Sequence, residues 1–73
     1  MLKRIQCDFN SINENGRVHL TTRGALACIE KTPIKVSEKI IISDDELEVE
    51  AIVEKDQYGD FVALPIWSTM VEI

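Results

Sequence analysis

Residues 39–65 read KIIISDDELEVEAIVEKDQYGDFVALP, and this stretch predicts three consecutive β-strands joined by two tight acidic turns. In the middle strand, apolar and acidic residues alternate from Glu46 to Glu54. Successive strand residues point to opposite faces, so this alternation predicts one apolar face and one charged face. The predicted inward face comprises Leu47, Val49, Ala51 and Val53, while the glutamates line the other face together with Ile52.

The flanking strands are apolar on both faces. Residues 40–42 and 61–64 show no alternation, which is typical of strands whose two faces are both covered. Ser43, Asp44 and Asp45 supply the first turn, because short polar side chains there bond to their own backbone. Residues 55–59 supply the second turn. The sheet is therefore expected to need cover on both sides.

The N-terminal part predicts two more strands and one helix. Residues 2–9 and 17–21 alternate, and the loop between them ends in an Asn-Gly pair, so these two strands are expected to form a hairpin. In residues 22–31 the apolar residues recur instead at helical spacing. Pro33 ends this helix of one to two turns, because it forces Thr32 out of the helical region.

The predicted fold class is all-β, with one domain spanning residues 1–73. Five strands form a strongly bent sheet or a small SH3-like barrel, with one short helix between strands 2 and 3. Closure into a barrel removes the exposed strand edges. A flatter α+β sheet with the helix laid across it is the alternative. A chain of 73 residues buries only about 60% of its unfolded surface, so closure or self-association adds needed stability.

The segment after the last strand is apolar for a terminus. Pro65 marks an edge or an exit, because it cannot donate to a sheet ladder. Four large apolar residues follow within the last seven positions, and we expect them to pack across an open end of the sheet or against another chain. The predicted partner is a second copy of the chain, as a homodimer, or another protein. The predicted interaction surface comprises Ile41, Ile52, Trp67 and Met70.

Charge is divided unevenly along the chain. The net charge is −5; residues 1–35 carry six basic and three acidic residues, and residues 36–73 carry two basic and ten acidic residues. An acidic protein repels phosphate backbones, so nucleic acid is an unlikely partner by this criterion. The alternative hypothesis is a nucleic-acid-associated small β-barrel that uses the N-terminal basic zone of Lys3, Arg4, Arg17, His19 and Arg23.

The acidic row on the central strand has two interpretations. Alternate strand residues lie roughly 6.5–7 Å apart, so these carboxylates do not share one ion. Glu46, Glu48 and Glu50 therefore form either an acidic docking face for a basic partner or a solvated outer face. The solvated face is favoured, aided by Lys39 on the neighbouring strand.

No pattern for catalysis, a cofactor or a metal is present in the sequence. His19 is the only histidine and has no nucleophile context, while Cys7, Cys28 and His19 are scattered singly, unlike zinc ligands. The turn at Asp44 lacks the spaced ligands and the glycine of a calcium loop. The sequence predicts a non-enzymatic protein without a cofactor. Both thiols are expected to be buried and reduced.

The cytoplasm is the expected location, without membrane contact. Lys3 and Arg4 are not followed by an apolar run, so no signal peptide is predicted, and no apolar stretch approaches the length of a membrane span.

The chain from Gly24 onward carries short motifs at residues 24–26, 34–38, 47–53, 61–63 and 66–67, and through them it resembles a group of small uncharacterised bacterial proteins. Their pattern is a Gly-x-Leu helix start, a short Leu/Val-x-Glu-Gly approach to a strand, a Leu-x-Val-Glu-Gly-x-Val strand between two acidic turns, and Trp-Val-Ala leading to Asp-Trp. The resemblance covers about two thirds of the chain and implies the fold, without any function. The matching positions here are Gly24, Ala25, Leu26, residues 34–38, 47–53 and 61–63, Ile66 and Trp67; Lys39, Ala51, Phe61 and Ile66 depart from the pattern.

Two functional hypotheses follow from these patterns. The first is a non-catalytic protein-interaction or self-associating module, which the apolar tail and the two-faced apolar strands favour. The second is the nucleic-acid-associated barrel. Retention on immobilised nucleic acid at low salt, lost steeply as salt rises, would favour the second hypothesis.

Overall fold

A computed structural model describes residues 2–73, and within them the chain forms six strands, one α-helix and two short 3-10 helices. In chain order these are β1 (Arg4–Gln6), η1 (Phe9–Ser11), β2 (Val18–His19), α1 (Arg23–Lys31), β3 (Lys39–Ser43), β4 (Leu47–Lys55), β5 (Phe61–Pro65), η2 (Trp67–Thr69) and β6 (Val71–Glu72). The alternating stretch forms β4, which is the longest strand and lies at the centre of the sheet.

The strands form one mixed sheet in the order β1-β3-β4-β5-β2, and β6 also pairs with β4. β1 runs parallel to β3, and the remaining pairs are antiparallel. The sheet is curled into a half-barrel. The β-rich fold agrees with the prediction. The sixth strand lies in the apolar tail, where the sequence predicted no strand.

The predicted hairpin between the first two strands is wrong. β1 pairs with β3, while β2 pairs with β5 at the opposite edge of the sheet. The Asn-Gly turn still reverses the chain: Gly16 has a φ of 77°, and Ile12 lies opposite Val18 in an isolated bridge. A turn signal is local, so it does not determine which strand of the sheet the chain joins next.

The helix α1 begins where the sequence predicted and is longer than expected, at about two and a half turns. Thr22 caps its start, since the Thr22 hydroxyl accepts a hydrogen bond from the Ala25 N–H at 3.2 Å. Along the chain α1 follows β2, but in space it packs against β1. A Cβ at Gly24 would lie 3.0 Å from the Gln6 side chain, so glycine permits this close approach.

The hydrophobic core lies between α1 and the inner face of the sheet. Val49, Ala51 and Val53 of β4 are buried there as the alternation predicts, and Leu47 is half-buried at the end of the strand. No polar or charged residue among positions 2–73 is buried. The core cluster comprises Ile5, Cys7, Val18, Leu20, Ala25, Ile34, Ile40, Ile42, Val49, Ala51, Val53 and Ala63.

The C-terminal segment continues β5 along the same edge of β4. Pro65 pairs with Ala51, and Val71 pairs with Glu48. Between these two pairs the chain of β4 covers three positions, from 51 to 48, while the segment from β5 to β6 covers six, from 65 to 71. The three extra residues are accommodated by η2, which interrupts the ladder between β5 and β6.

The described helices give no candidate membrane span: none within residues 2–73 has the length and hydropathy needed to cross a bilayer.

Candidate interaction surface

The structure divides the predicted interaction surface between two places. Ile41 and Ile52 lie on the outer face of the sheet, opposite the core, and both are half-buried. Trp67 and Met70 lie beyond β5 and are 48% and 46% exposed. Ile41 approaches the tail only through a small cleft of about 100 Å³, which it shares with Val71.

Charged side chains cover part of the outer face. Arg4 on β1 forms an ion pair with Glu48 on β4, and β3 lies between these strands. The pair therefore crosses over β3 close to Ile41, which lies opposite Arg4 in the register. Lys39 adds a second pair at the same place, with its Nζ 2.7 Å from Glu50 Oε1. Glu48 and Glu50, which these pairs fix, line the small cleft beside Ile41.

A similar bridge crosses β5. Arg17 Nε lies 3.0 Å from Glu54 Oε1, and β5 separates β2 from β4. The strand register places Val62 between Glu54 and His19 on this face. Val62 is only 3% exposed although it does not belong to the core cluster. The aliphatic stem of an arginine can cover apolar surface while its charged group stays in water, and Arg17 and Val62 line the same cavity.

These pairs change the electrostatics of the predicted acidic face. Glu48 and Glu50 each have a basic partner, whereas Glu46 is exposed and has no ion pair within residues 2–73. A docking role for the whole row stays a prediction, but two of its three charges are already compensated.

Three of the five residues of the N-terminal basic zone are compensated by the same kind of pairing. Lys3 Nζ lies 2.9 Å from Glu38 Oε2, and Arg4 and Arg17 have the partners described above. Paired cations attract a phosphate backbone less than free cations do. The three ion pairs therefore weaken the attraction of this zone for a phosphate backbone, and the nucleic-acid hypothesis stays a prediction.

The aromatic contact at the end of the molecule joins the tail to η1. The Trp67 and Phe9 ring centroids lie 6.0 Å apart with the planes tilted by 46°. Phe9 also packs against the core cluster, so Trp67 covers one end of the core and leaves about half of its own surface in water.

Phe9 also lines a cavity of about 500 Å³, between the end of β1 and the β3–β4 turn. Leu47 adds a second apolar side chain to the wall. No lysine or arginine lines this cavity, whereas four of its lining residues are acidic. We name the surface formed by Phe9, Leu47, Trp67, Asp8, Asp44, Asp45 and Glu46 the acidic end.

Two local turns fix this geometry. Asp44 Oδ1 accepts hydrogen bonds from the N–H groups of Glu46 and Leu47, both at 2.8 Å. Asp8 Oδ1 accepts one from the Asn10 N–H at 2.9 Å and so caps η1. Short acidic side chains commonly stabilise turns in this way. The two carboxylates are therefore held in place before any partner arrives.

Cys7 lies beside these carboxylates. Burial, followed by the negative charges of Asp44 and Asp8, raises the pKa of its thiol to about 12. The thiol is therefore protonated and unreactive at neutral pH. Both cysteines are free, but Cys28 is only half-buried, so the predicted burial holds for Cys7 alone.

A larger polar cavity of about 600 Å³ lies between the 13–17 turn and the β4–β5 turn. His19 lines it together with Arg17, Glu54 and Tyr58. No serine or cysteine lines this cavity, so the wall holds a histidine without a nucleophile of those types. Within residues 2–73, no group of three or more His, Cys, Asp or Glu side chains is placed to hold a metal ion.

No family model matches the chain, and comparisons with curated proteins and with solved structures find no match. The functional conclusion therefore depends on the geometry of the molecule.

Sequence reasoning missed the acidic end as a surface. It identified Asp44 and Asp45 as turn residues, and it gave Asp8 and Phe9 no role beyond the first strand. These residues meet because β1 pairs with β3, and the Cys7 N–H donates to the Ser43 carbonyl at 2.9 Å. No local sequence signal reports such a parallel pairing.

Proposed function

We propose that the protein is a non-catalytic protein-interaction or self-associating module that contacts its partner through its C-terminal segment. The supporting observation is the concentration of exposed apolar side chains in that segment. Exposed apolar patches mark interaction sites, and a partly exposed tryptophan is a common energetic anchor. The residues concerned are Trp67, Met70, Val71 and Ile73, which are 48%, 46%, 55% and 74% exposed.

The partner is either a second copy of the chain or another protein. A stable dimer commonly buries about 1,200–2,000 Å² in total, and two-fold symmetry is the commonest arrangement. Sedimentation equilibrium in the micromolar range tests self-association. We expect the average mass to rise above the monomer's 8.3 kDa with increasing concentration.

Two matched variants localise the contact. Met70→Ser removes an exposed apolar side chain from the segment, while Leu26→Ser removes one from α1, where 53% of the side chain is exposed. Met70→Ser is expected to reduce association, and Leu26→Ser is expected to preserve it. If the wild type stays monomeric, the two variants are compared with it in affinity capture from cell extract, and the proteins that each retains are identified. The proposal fails if the wild type neither self-associates nor retains a protein that Met70→Ser loses.

Two finer features belong to this proposal. The half-barrel is a small SH3-like barrel, which its short strands and its end closure by Phe9 and Trp67 support. The protein acts in the cytoplasm, which the two free thiols support because reduced cysteines are typical of that compartment.

A further inference from the structure

The apolar centre of the acidic end is a half-exposed aromatic pair. Trp67 stacks at a tilt on Phe9, and Phe9 lies in the wall of the acidic cavity. An apolar side chain entering this cavity would contact the Phe9 ring and Leu47. A partner that fits this surface therefore needs at least one large apolar side chain.

The charges around this centre are uncompensated. Within residues 2–73, four other glutamates have basic partners: Glu38, Glu48, Glu50 and Glu54. The four acids of the cavity have none, and Glu72 lies opposite Leu47 and adds a fifth carboxylate nearby. Like charges held close together repel one another unless a cation lies between them.

The same charges argue against a second copy at this surface. A two-fold contact would bring the acidic end of one chain against the acidic end of its partner. Like charges facing each other across an interface oppose association, and opposite charges favour it. Charge complementarity therefore selects a basic partner.

We propose that the acidic end binds a basic peptide segment of another protein, with one large apolar side chain against Phe9 and Trp67 and with lysines or arginines against the four carboxylates. The inference rests on the proposed function, because it specifies the chemistry of the partner. The second oxygens of Asp8 and Asp44 have no protein donor within residues 2–73, so they are available to the basic groups.

Fluorescence anisotropy tests this proposal with a synthetic labelled peptide in which lysines surround one central leucine. The wild-type protein is expected to bind it, and the affinity is expected to fall as salt rises. A peptide with alanine in place of the leucine is expected to bind more weakly. A peptide with glutamates in place of the lysines is expected not to bind.

A matched pair of double variants locates the site. Asp45→Asn with Glu46→Gln removes two charges of the acidic end and preserves the turn-forming carboxylates of Asp8 and Asp44. Glu30→Gln with Asp60→Asn removes two exposed charges elsewhere. The first is expected to weaken binding by about three- to tenfold, and the second by less than about twofold.

Equal weakening by both double variants would show binding to net charge alone and would overturn the proposal. Absence of binding to the wild type would also overturn it. Self-association that Asp45→Asn with Glu46→Gln changes, without any binding of the peptide to the wild type, would identify the occupant as a second copy and not a basic segment. Any of these results is compatible with association that Met70→Ser reduces, so the proposed function is tested separately.

Discussion

Arginine side chains on the outer face form ion pairs that span a strand. Neighbouring strands lie about 4.8 Å apart, so an ion pair that spans an intervening strand crosses about twice that distance. Arg4 and Arg17 both form such pairs, and the strand register places Ile41 opposite Arg4 and Val62 opposite Glu54 on the strand between. These ion pairs compensate charge on the outer face of the sheet. The sequence predicted that the apolar residues of this face contact a second chain.

The register of β4 gives the first prediction, at the scale of one residue. Val49 is 1% exposed, so Val49→Asp would bury a charge without a partner. Such burial costs several kcal/mol against a total stability of about 5–15 kcal/mol, and we expect the variant to be unfolded. Its neighbour Glu48 lies on the outer face, so Glu48→Lys is expected to remain folded. Thermal unfolding followed by circular dichroism measures both.

The structure changes the expected effect of Glu48→Lys on the stability of the protein. The alternation alone predicts that reversing Glu48 is neutral or mildly favourable. Because Glu48 pairs with Arg4, the reversal instead removes an ion pair and places two cations together, for a loss of up to about 1 kcal/mol. Similar melting temperatures for Val49→Asp and Glu48→Lys would contradict the register.

At the scale of an element, η2 interrupts a strand, but the backbone groups of Glu50 opposite it keep their hydrogen bonds. The Thr69 hydroxyl accepts a hydrogen bond from the Glu50 N–H at 2.9 Å and donates one to the Ile66 carbonyl at 2.7 Å. The Ile66 N–H in turn donates to the Glu50 carbonyl at 2.8 Å. One hydroxyl therefore replaces the ladder bond that the extra residues remove.

Thr69→Val is expected to lower the free energy of unfolding by about 1–2 kcal/mol, because the valine side chain has a similar shape but leaves the Glu50 N–H without this acceptor. Thr69→Ser keeps the hydroxyl and serves as the control. Urea denaturation of the three proteins measures the difference. If the valine and serine variants are equally stable, the hydroxyl is not the acceptor that holds η2.

The start of β3 gives a pH prediction. The hydrogen bond from the Lys3 ammonium, followed by that from the Lys35 N–H, lowers the pKa of Glu38 below its usual value of 4.5. A lowered folded-state pKa contributes stability that is present above the unfolded pKa and is lost as pH falls through the folded one. The advantage of the wild type over Glu38→Gln is therefore expected to shrink as pH decreases below 4.5. Urea denaturation over a pH series measures it, and a constant difference would contradict the role of the carboxylate.

At the scale of the whole molecule, the predictable part of the fold is the local part. β3, β4 and β5 follow one another through tight turns, so the alternation in β4, the apolar runs in β3 and β5 and the turn residues are sufficient to identify them. The acidic end depends on Asp8 meeting Asp44 across a parallel strand pair, with the helix in the intervening chain. A single sequence carries no local signal for such a contact.

The charge of the whole molecule gives the last prediction. The side chains of Asp45 and Glu46 are exposed and form no hydrogen bond or ion pair within the part of the chain described here, so they contribute repulsion to the folded state and little else. Asp45→Asn with Glu46→Gln is therefore expected to preserve the free energy of unfolding or raise it by up to about 0.5 kcal/mol. Added salt is expected to narrow that difference, because it screens the repulsion in the wild type.

Glu30→Gln with Asp60→Asn is the control, and urea denaturation at low and high salt measures all three proteins. A loss of more than about 1 kcal/mol in the first variant would show that these carboxylates serve the fold, since surface substitutions without such a role rarely cost that much.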